Sequence, residues 1–270
     1  MGRGYSDVMR FMSAGAGITG RGILDFLLPP RCLTCDTVTG HKGHGLCGAC
    51  WSRVRFLEQP WCLRYGTPFE HEVGVDALSP RAIAFPPAFD RARGACWYSG
   101  PARDLVLGLK FARRRHLALS MGRWMARAGT ELLRDRPLIA PVPLHPRRLL
   151  QRRFNQSADL AKVVASLCDS EFVPDLLRRT RHTRAQVGLN ATERQKNLRG
   201  AIALTPDAGS RVFGRPVLLV DDVMTTGATM AACVKVLKQA GARQIDVLVF
   251  AIADPAGMAR EHGAELKDKL

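Results

Sequence analysis

Four branched apolar residues, Val217-Leu218-Leu219-Val220, follow one another without alternation. Such a run predicts a strand buried on both faces, as in a parallel sheet lying under helices. The strand is expected to end in Asp221 and Asp222. Beyond them Thr225, Thr226 and Gly227 form a short polar loop. An amphipathic helix follows, with Met230, Val234 and Leu237 on one side and Lys235 and Lys238 on the other. Three more apolar stretches, Ala92 to Tyr98, Leu138 to Pro143 and Ile245 to Ile252, predict further strands. Helical spacing fills the gaps between them. Leu105, Val106 and Leu109 share a face within 101–111, a second helix is expected from Leu117 to Leu133, and a third from Gln156 to about Leu167. This alternation predicts an α/β fold, a doubly wound parallel sheet with helices on both faces.

The rest of the chain lacks that rhythm. Residues 1–28 begin Gly- and Ser-rich and end in a short amphipathic docking helix, halted at Pro29-Pro30. Residues 29–90, read as a small zinc-ribbon-like domain, carry all seven prolines of the first hundred positions and show no long apolar period, and 70–90, with Pro80, Pro86 and Pro87, read as an irregular connection. Residues 176–200 are polar and basic, suited to a loop that closes over an anion or to a surface segment. The sheet domain is expected over 91–256, with a polar tail at 257–270.

Composition changes the picture in one respect. At 270 residues, 46% hydrophobic and 24% charged, the chain is ordinary for a globular protein with a large domain and a small one. Its charge is not: 40 Lys and Arg against 24 Asp and Glu give +16, and residues 101–200 hold 21 basic and 8 acidic side chains. Such a field attracts polyanions, whether phosphorylated substrates, nucleic acid or anionic surfaces, and is equally the mark of a solvated Arg-rich face. No apolar run approaches the roughly 20 residues of a membrane helix. No signal-peptide pattern opens the chain, so a cytoplasmic, reducing location is expected, where clustered cysteines point to metal before disulfide.

Two stretches carry chemistry. Cys32-Leu33-Thr34-Cys35 and Cys47-Gly48-Ala49-Cys50 are close CxxC knuckles. Four thiolates at this spacing suit a tetrahedral zinc ion, which would organise an insert too polar to fold around a core of its own. His41 and His44 lie between the knuckles, their role open. A third half-knuckle at Trp61-Cys62-Leu63-Arg64-Tyr65 has Tyr65 where the second cysteine would stand. Cys62 is therefore read as a small buried residue, and one zinc is expected. The second stretch is Asp221 to Thr229. Ligands of open α/β sheets bind beyond the carboxyl ends of the strands. A helix N-terminus supplies N–H groups and positive dipole for a phosphate, with Gly227 allowing close approach and Thr225, Thr226 and Thr229 adding hydroxyls. Two carboxylates beside such a cup can grip vicinal sugar hydroxyls, directly or through Mg²⁺. After the strand near 139, Arg147 and Arg152 offer bidentate phosphate contacts, while Asn155 and Gln156 can cap a helix and also face a ligand.

The Asp221–Thr229 string resembles the phosphoribosyl-pyrophosphate (PRPP) signature of type I phosphoribosyltransferases. With Leu27-Leu28-Pro29-Pro30-Arg31-Cys32, Pro141-Val142-Pro143-Leu144-His145, Phe154-Asn155-Gln156, Gln186, Arg194 and Asn197, the chain resembles the ComF family over roughly residues 24–254. That family joins an amino-terminal zinc ribbon to a type I phosphoribosyltransferase domain and is associated with bacterial competence. The resemblance implies that Asp221 and Asp222 bind the ribose hydroxyls of PRPP and that Thr225, Thr226, Gly227, Ala228 and Thr229 cradle its 5′-phosphate. It also implies that the segment after Pro143 lies near the pyrophosphate, with Mg²⁺ on the leaving group. It further implies action on incoming single-stranded DNA, in company with DNA-uptake proteins. Three departures stand out: Arg153 where the family often has Gly, the degenerate second knuckle at Cys62 and Tyr65, and Thr225 where purine-salvage relatives carry an acid. Two other readings stay open: a nucleobase or amine phosphoribosyltransferase of salvage or repair, and a non-catalytic module that senses PRPP or a nucleotide and recruits a partner.

Overall fold

The computed structural model describes residues 29–39, 45–74, 76–111, 114–144, 154–180 and 200–254. The proposed docking helix, His41, His44, Arg147, Arg152, Arg153, Gln186, Arg194, Asn197 and the tail lie outside them. The chain divides into two compact units, 1–53 and 54–270.

In the smaller unit a tight turn at Cys32 leads to helix α1 (Gly48–Trp51). The turn closes through Cys32 N–H donating to Thr37 O and Thr39 N–H donating to Pro30 O, both at 2.8 Å.

The larger unit begins with a second tight turn around Cys62 and helix α2 (Pro80–Ala84). Where an irregular connection was expected, Ser79 caps α2 by accepting from Ala82 N–H, and Pro80 at the first helical position suits a fixed φ. Strand β1 (Ala92–Trp97), helices α3 (Gly100–Phe111), α4 (Leu117–Ala128) and α5 (Thr130–Leu133), and strand β2 (Leu138–Pro141) follow. Then come α6 (Gln156–Cys168), β3 (Leu177–Arg179), β4 (Ile202–Leu204), α7 (Ala208–Val212), β5 (Pro216–Met224), α8 (Ala228–Gln239) and β6 (Gln244–Ile252).

The four strands expected from the apolar runs form one parallel sheet in the order β1-β6-β5-β2. Because Val217 to Val220 are all 0–1% exposed, both faces of β5 are covered. Val217 and Leu219 pack with Met230, Cys233, Val234 and Leu237 of α8. On the alternate registers, Phe250 stacks on Trp124 of α4, and α6 lies over β5 and β2. Each buried branched side chain contributes about 1.5–3 kcal/mol, so β5 and its neighbour β6, where Val247 to Ala251 are 0% exposed, are the apolar anchors of the unit.

Three expectations change. First, β5 does not stop at the carboxylates: it runs on to Met224, because β6 stays extended beside it and pairs Val223 with Ala251 and Met224 with Ile252. Second, the helix expected over 117–133 breaks at Gly129, where a Cβ would come within 2.7 Å of Leu248 Cδ1; the glycine lets the helix end approach the sheet. Third, the basic segment after residue 176 opens in a strand, β3, paired antiparallel with β4.

Candidate functional site

Asp221 pairs with Val249 in the ladder and lies inside the carboxyl-terminal part of β5, three residues before its end. Its Oδ1 accepts the Ser157 hydroxyl at 2.6 Å and the Asp222 N–H at 2.9 Å. Burial first, and the charge of Asp222 next, push the Asp221 carboxyl up to about 7, against the pull of these hydrogen bonds and of Lys110. Asp222 is buried at 7% exposure, and Lys110 Nζ stands 2.9 Å from its Oδ1. Two carboxylates and one ammonium thus share the strand end, which retains negative charge when both acids ionise.

The loop behind them forms as expected. Gly227 has φ +78°, a left-handed conformation that glycine adopts without the Cβ penalty, and it stands at the N-cap of α8. Neither aspartate stands at the cap of that helix, and the N-cap residue, Gly227, has no side chain to cap it. Thr225 and Thr226 are exposed, and the Thr226 hydroxyl accepts from Ala228 N–H at 3.4 Å. An α-helix leaves its first N–H groups without intrahelical acceptors, so the arrangement is a cup of donors at the positive end of the dipole.

Asn155 and Gln156 divide the roles expected of them. Asn155 is a structural cap: its Oδ1 accepts from Ser157 N–H at 3.1 Å while its Nδ2 donates to Val142 O at 3.2 Å, tying α6 to the end of β2. That tie sets Ser157 against Asp221. Gln156 is 1% exposed, and its Nε2 has no hydrogen-bond partner among the described residues. Arg147 and Arg152 fall outside those residues.

Lys110 and Ser157 were not singled out by sequence reasoning as site residues. A signal for Lys110 existed. It lies four positions after the fully buried Val106, on the same helical face, so its charge had to meet a partner inside. Ser157 carried none, since a serine in a helix's first turn is ordinary.

In the smaller unit the ligand atoms of Cys32, Cys35, Cys47 and Cys50 all lie within 4.8 Å of one another, with Cys35 and Cys47 Sγ 3.6 Å apart. A tetrahedron of zinc–sulfur bonds of about 2.3 Å has sulfur–sulfur edges of about 3.8 Å, so the donor set fits zinc. Its electrostatics agree. Burial raises Cys32, but the Thr34 hydroxyl and backbone N–H groups outweigh it and bring the thiol down to about 5. The Thr34 hydroxyl lowers Cys50, but burial and the three neighbouring thiols win and push it up to about 12. A divalent cation relieves that mutual repulsion. Among the described residues this is the one such cluster of three or more His, Cys, Asp or Glu side chains, and no helix there is long and apolar enough to cross a membrane.

Sequence profiles agree with the geometry: a double zinc ribbon domain matches residues 23–82 and a phosphoribosyl transferase domain matches residues 161–270. The class is a zinc-ribbon protein with a type I phosphoribosyltransferase-like fold. Among its relatives, the DNA utilization protein YhgH of Escherichia coli (strain K12) is 32% identical over 227 residues, 82% of this chain and 96% of that protein. Competence protein F of Haemophilus influenzae is 27% identical over 222 residues, 80% of this chain and 94% of that one. The chain belongs to their family, ComF. Weak likenesses to solved structures include a phosphoribosylpyrophosphate synthetase from Mycobacterium smegmatis, with 17% identity, TM-score 0.32, and 51% of this chain on 35% of that one. A hypoxanthine phosphoribosyltransferase from Staphylococcus aureus gives 15% identity, TM-score 0.34, and 52% on 66%.

Proposed function

We propose that the protein binds PRPP with Mg²⁺ at the end of β5 and acts on incoming single-stranded DNA in uptake and transformation, as a phosphoribosyltransferase of unassigned acceptor. The observation that carries the ligand is the carboxylate pair, Asp222 buried and Asp221 half-buried, leading directly into a glycine-capped, threonine-lined helix start. In this reading Asp221 and Asp222 accept the ribose hydroxyls, and Thr225, Thr226, Gly227, Ala228 and Thr229 hold the 5′-phosphate. Arg147 and Arg152 would meet the diphosphate, and Gln156 at the start of α6 would offer it a further polar contact. Lys110 moderates the repulsion of the acid pair and fixes Asp222 for its contact. Mg²⁺ would supply charge neutralisation on the departing diphosphate. The transfer breaks the ribose C1–oxygen bond, releases pyrophosphate, and joins C1 to a nucleophile. The chain contributes positioning and an electrostatically ordered, water-poor site. Thr225 stands where purine-salvage enzymes carry an acid, which argues against ordinary purine transfer.

The DNA role is carried over from the relatives, a DNA utilization protein and a competence protein, and the +16 charge is compatible with it. The test is calorimetric titration of PRPP with Mg²⁺ into the wild type and into Asp221→Asn/Asp222→Asn, with and without single-stranded DNA. Binding that vanishes in the double variant supports the assignment. Undiminished affinity there refutes it, and DNA binding without PRPP binding would leave recruitment as the function.

A further inference from the structure

The two tight turns of this chain are one motif written twice. In the first, Cys32 N–H donates to Thr37 O, Asp36 N–H to Cys32 O, and Thr39 N–H to Pro30 O. In the second, thirty positions on, Cys62 N–H donates to Thr67 O, Gly66 N–H to Cys62 O, and Phe69 N–H to Pro60 O. Isolated bridges repeat as Arg31 with Val38 and Trp61 with Pro68, and the left-handed turn residue repeats as Asp36 and Gly66. The downstream halves match as well, with an offset of thirty-two. Leu33 N–H donates to Gly45 O and Leu63 N–H to Ala77 O. Cys47 N–H donates to Cys32 Sγ and Ser79 N–H to Cys62 Sγ, each at 3.3 Å. A short helix follows each time, and its third residue is buried: Cys50 in α1, Ala82 in α2.

The four ligand positions Cys32, Cys35, Cys47 and Cys50 therefore correspond to Cys62, Tyr65, Ser79 and Ala82. Three of the four second-site donors are gone, although the matched domain is a double ribbon. A hydroxyl, a methyl, a phenol and one thiol do not make a zinc site. What stands there instead is Tyr65, 7% exposed. Its hydroxyl donates to Phe85 O at 2.9 Å, and Arg81 lies over its ring at 4.6 Å. The ring meets Phe89 edge-on, with centroids 5.9 Å apart. Those contacts hold together the two halves that a metal would otherwise join.

Phe89 carries the connection onward. It is 2% exposed, and its Cε1 is the nearest atom, at 3.9 Å, to the Cβ position of Gly227. The whole turn is anchored on β1: Ala92 N–H donates to Arg64 O at 2.7 Å, and Arg93 Nη1 donates to Leu63 O at 3.0 Å. Gly66 is required for that approach, since a Cβ there would come within 2.3 Å of Ala92 O.

We propose that the second zinc ribbon has become a metal-free brace, in which Tyr65 takes the place of the ion and positions the Gly227 loop through Phe89. The loop's ligand rests on the reading given above; the brace does not. Two measurements test it on the full-length protein. Restoring the donors in Tyr65→Cys/Ser79→Cys/Ala82→Cys should raise zinc content from one to two per chain. A folded triple variant that still holds one zinc overturns the correspondence of the two ribbons. In parallel, hydrogen exchange is followed at the amides of residues 225–230 in Tyr65→Phe, Tyr65→Ala and Phe89→Leu. Loss of the brace should speed exchange there by about tenfold in Tyr65→Ala and Phe89→Leu, less in Tyr65→Phe, with the amides of β5 and β6 unchanged. Unchanged loop exchange in Phe89→Leu overturns the brace, whether or not PRPP binds. If PRPP does bind, its affinity should fall in the same order as the exchange rates rise, while zinc stays at one.

Discussion

Asp221→Asn should stabilise the ligand-free protein in alkaline solution while abolishing PRPP binding. The carboxyl is held up at about 7 in the folded chain, chiefly by burial and by Asp222. In the unfolded chain it has the ordinary value of about 3.9. Its folded pKa is thus raised, so between these values the unfolded state loses its proton first and stability falls as pH rises. Below about pH 4 both states are protonated and the penalty vanishes; above about 7 both are ionised and it levels off, at roughly 4 kcal/mol as an upper bound. Between pH 5.5 and pH 8 the penalty should grow by about 2 kcal/mol. Asparagine keeps an oxygen for the Ser157 hydroxyl and the Asp222 N–H but does not ionise. Urea unfolding of both proteins, followed by circular dichroism, gives the difference at each pH. The variant should gain on the wild type by about 1–2 kcal/mol between the two conditions, with other titrating groups cancelling in the comparison. A difference that is flat with pH, or that turns against the variant on raising it, would refute the reasoning that burial and charge repulsion dominate at this carboxylate.

Metal analysis should find one zinc per chain and none in Cys47→Ser, and removal of the metal by a strong chelator should unfold the smaller unit while the sheet's dichroism persists. Lys110→Met should cost about 2–4 kcal/mol in chemical unfolding, because Asp222, with its side chain 10% exposed, loses its ammonium partner. Arg93→Met should cost about 3–5 kcal/mol in the same assay, since Arg93 is 2% exposed, paired with Glu131, bonded to Leu63 O and stacked on Trp61. A loss below about 1 kcal/mol in either would show that the pair is replaced by water.

How much of this was legible follows from where the determining interactions lie along the chain. The sheet was legible because β2, β5 and β6 are short continuous apolar runs, and a strand buried on both faces has no other way to be written. The zinc cluster and the Thr225–Gly227 loop were legible because their geometry is local: ligand spacing in one case, a residue free to adopt positive φ in the other. The overshoot at Asp221 was not. Whether a chain stays extended past two carboxylates depends on the neighbouring strand, and β6 lies beyond an intervening helix. Lys110 and Ser157 failed for the same reason, since each meets the aspartates across more than sixty residues of chain.

The degenerate ribbon shows the limit from the other side. Loss of a ligand at Tyr65 was plain in the sequence and predicted one metal, but it said nothing of whether the turn survived. A zinc ribbon without zinc should be unfolded unless another contact joins its halves. The necessary information was distributed among Phe85, Phe89 and β1, none of which carries a ribbon signature. Tyr65 reads as a defect when compared with Cys35 alone. Placed against Phe89 and the Gly227 loop, it explains why the turn belongs to the larger unit and persists without its ion: the apolar contacts that replaced the metal also face the loop on which the proposed ligand would rest.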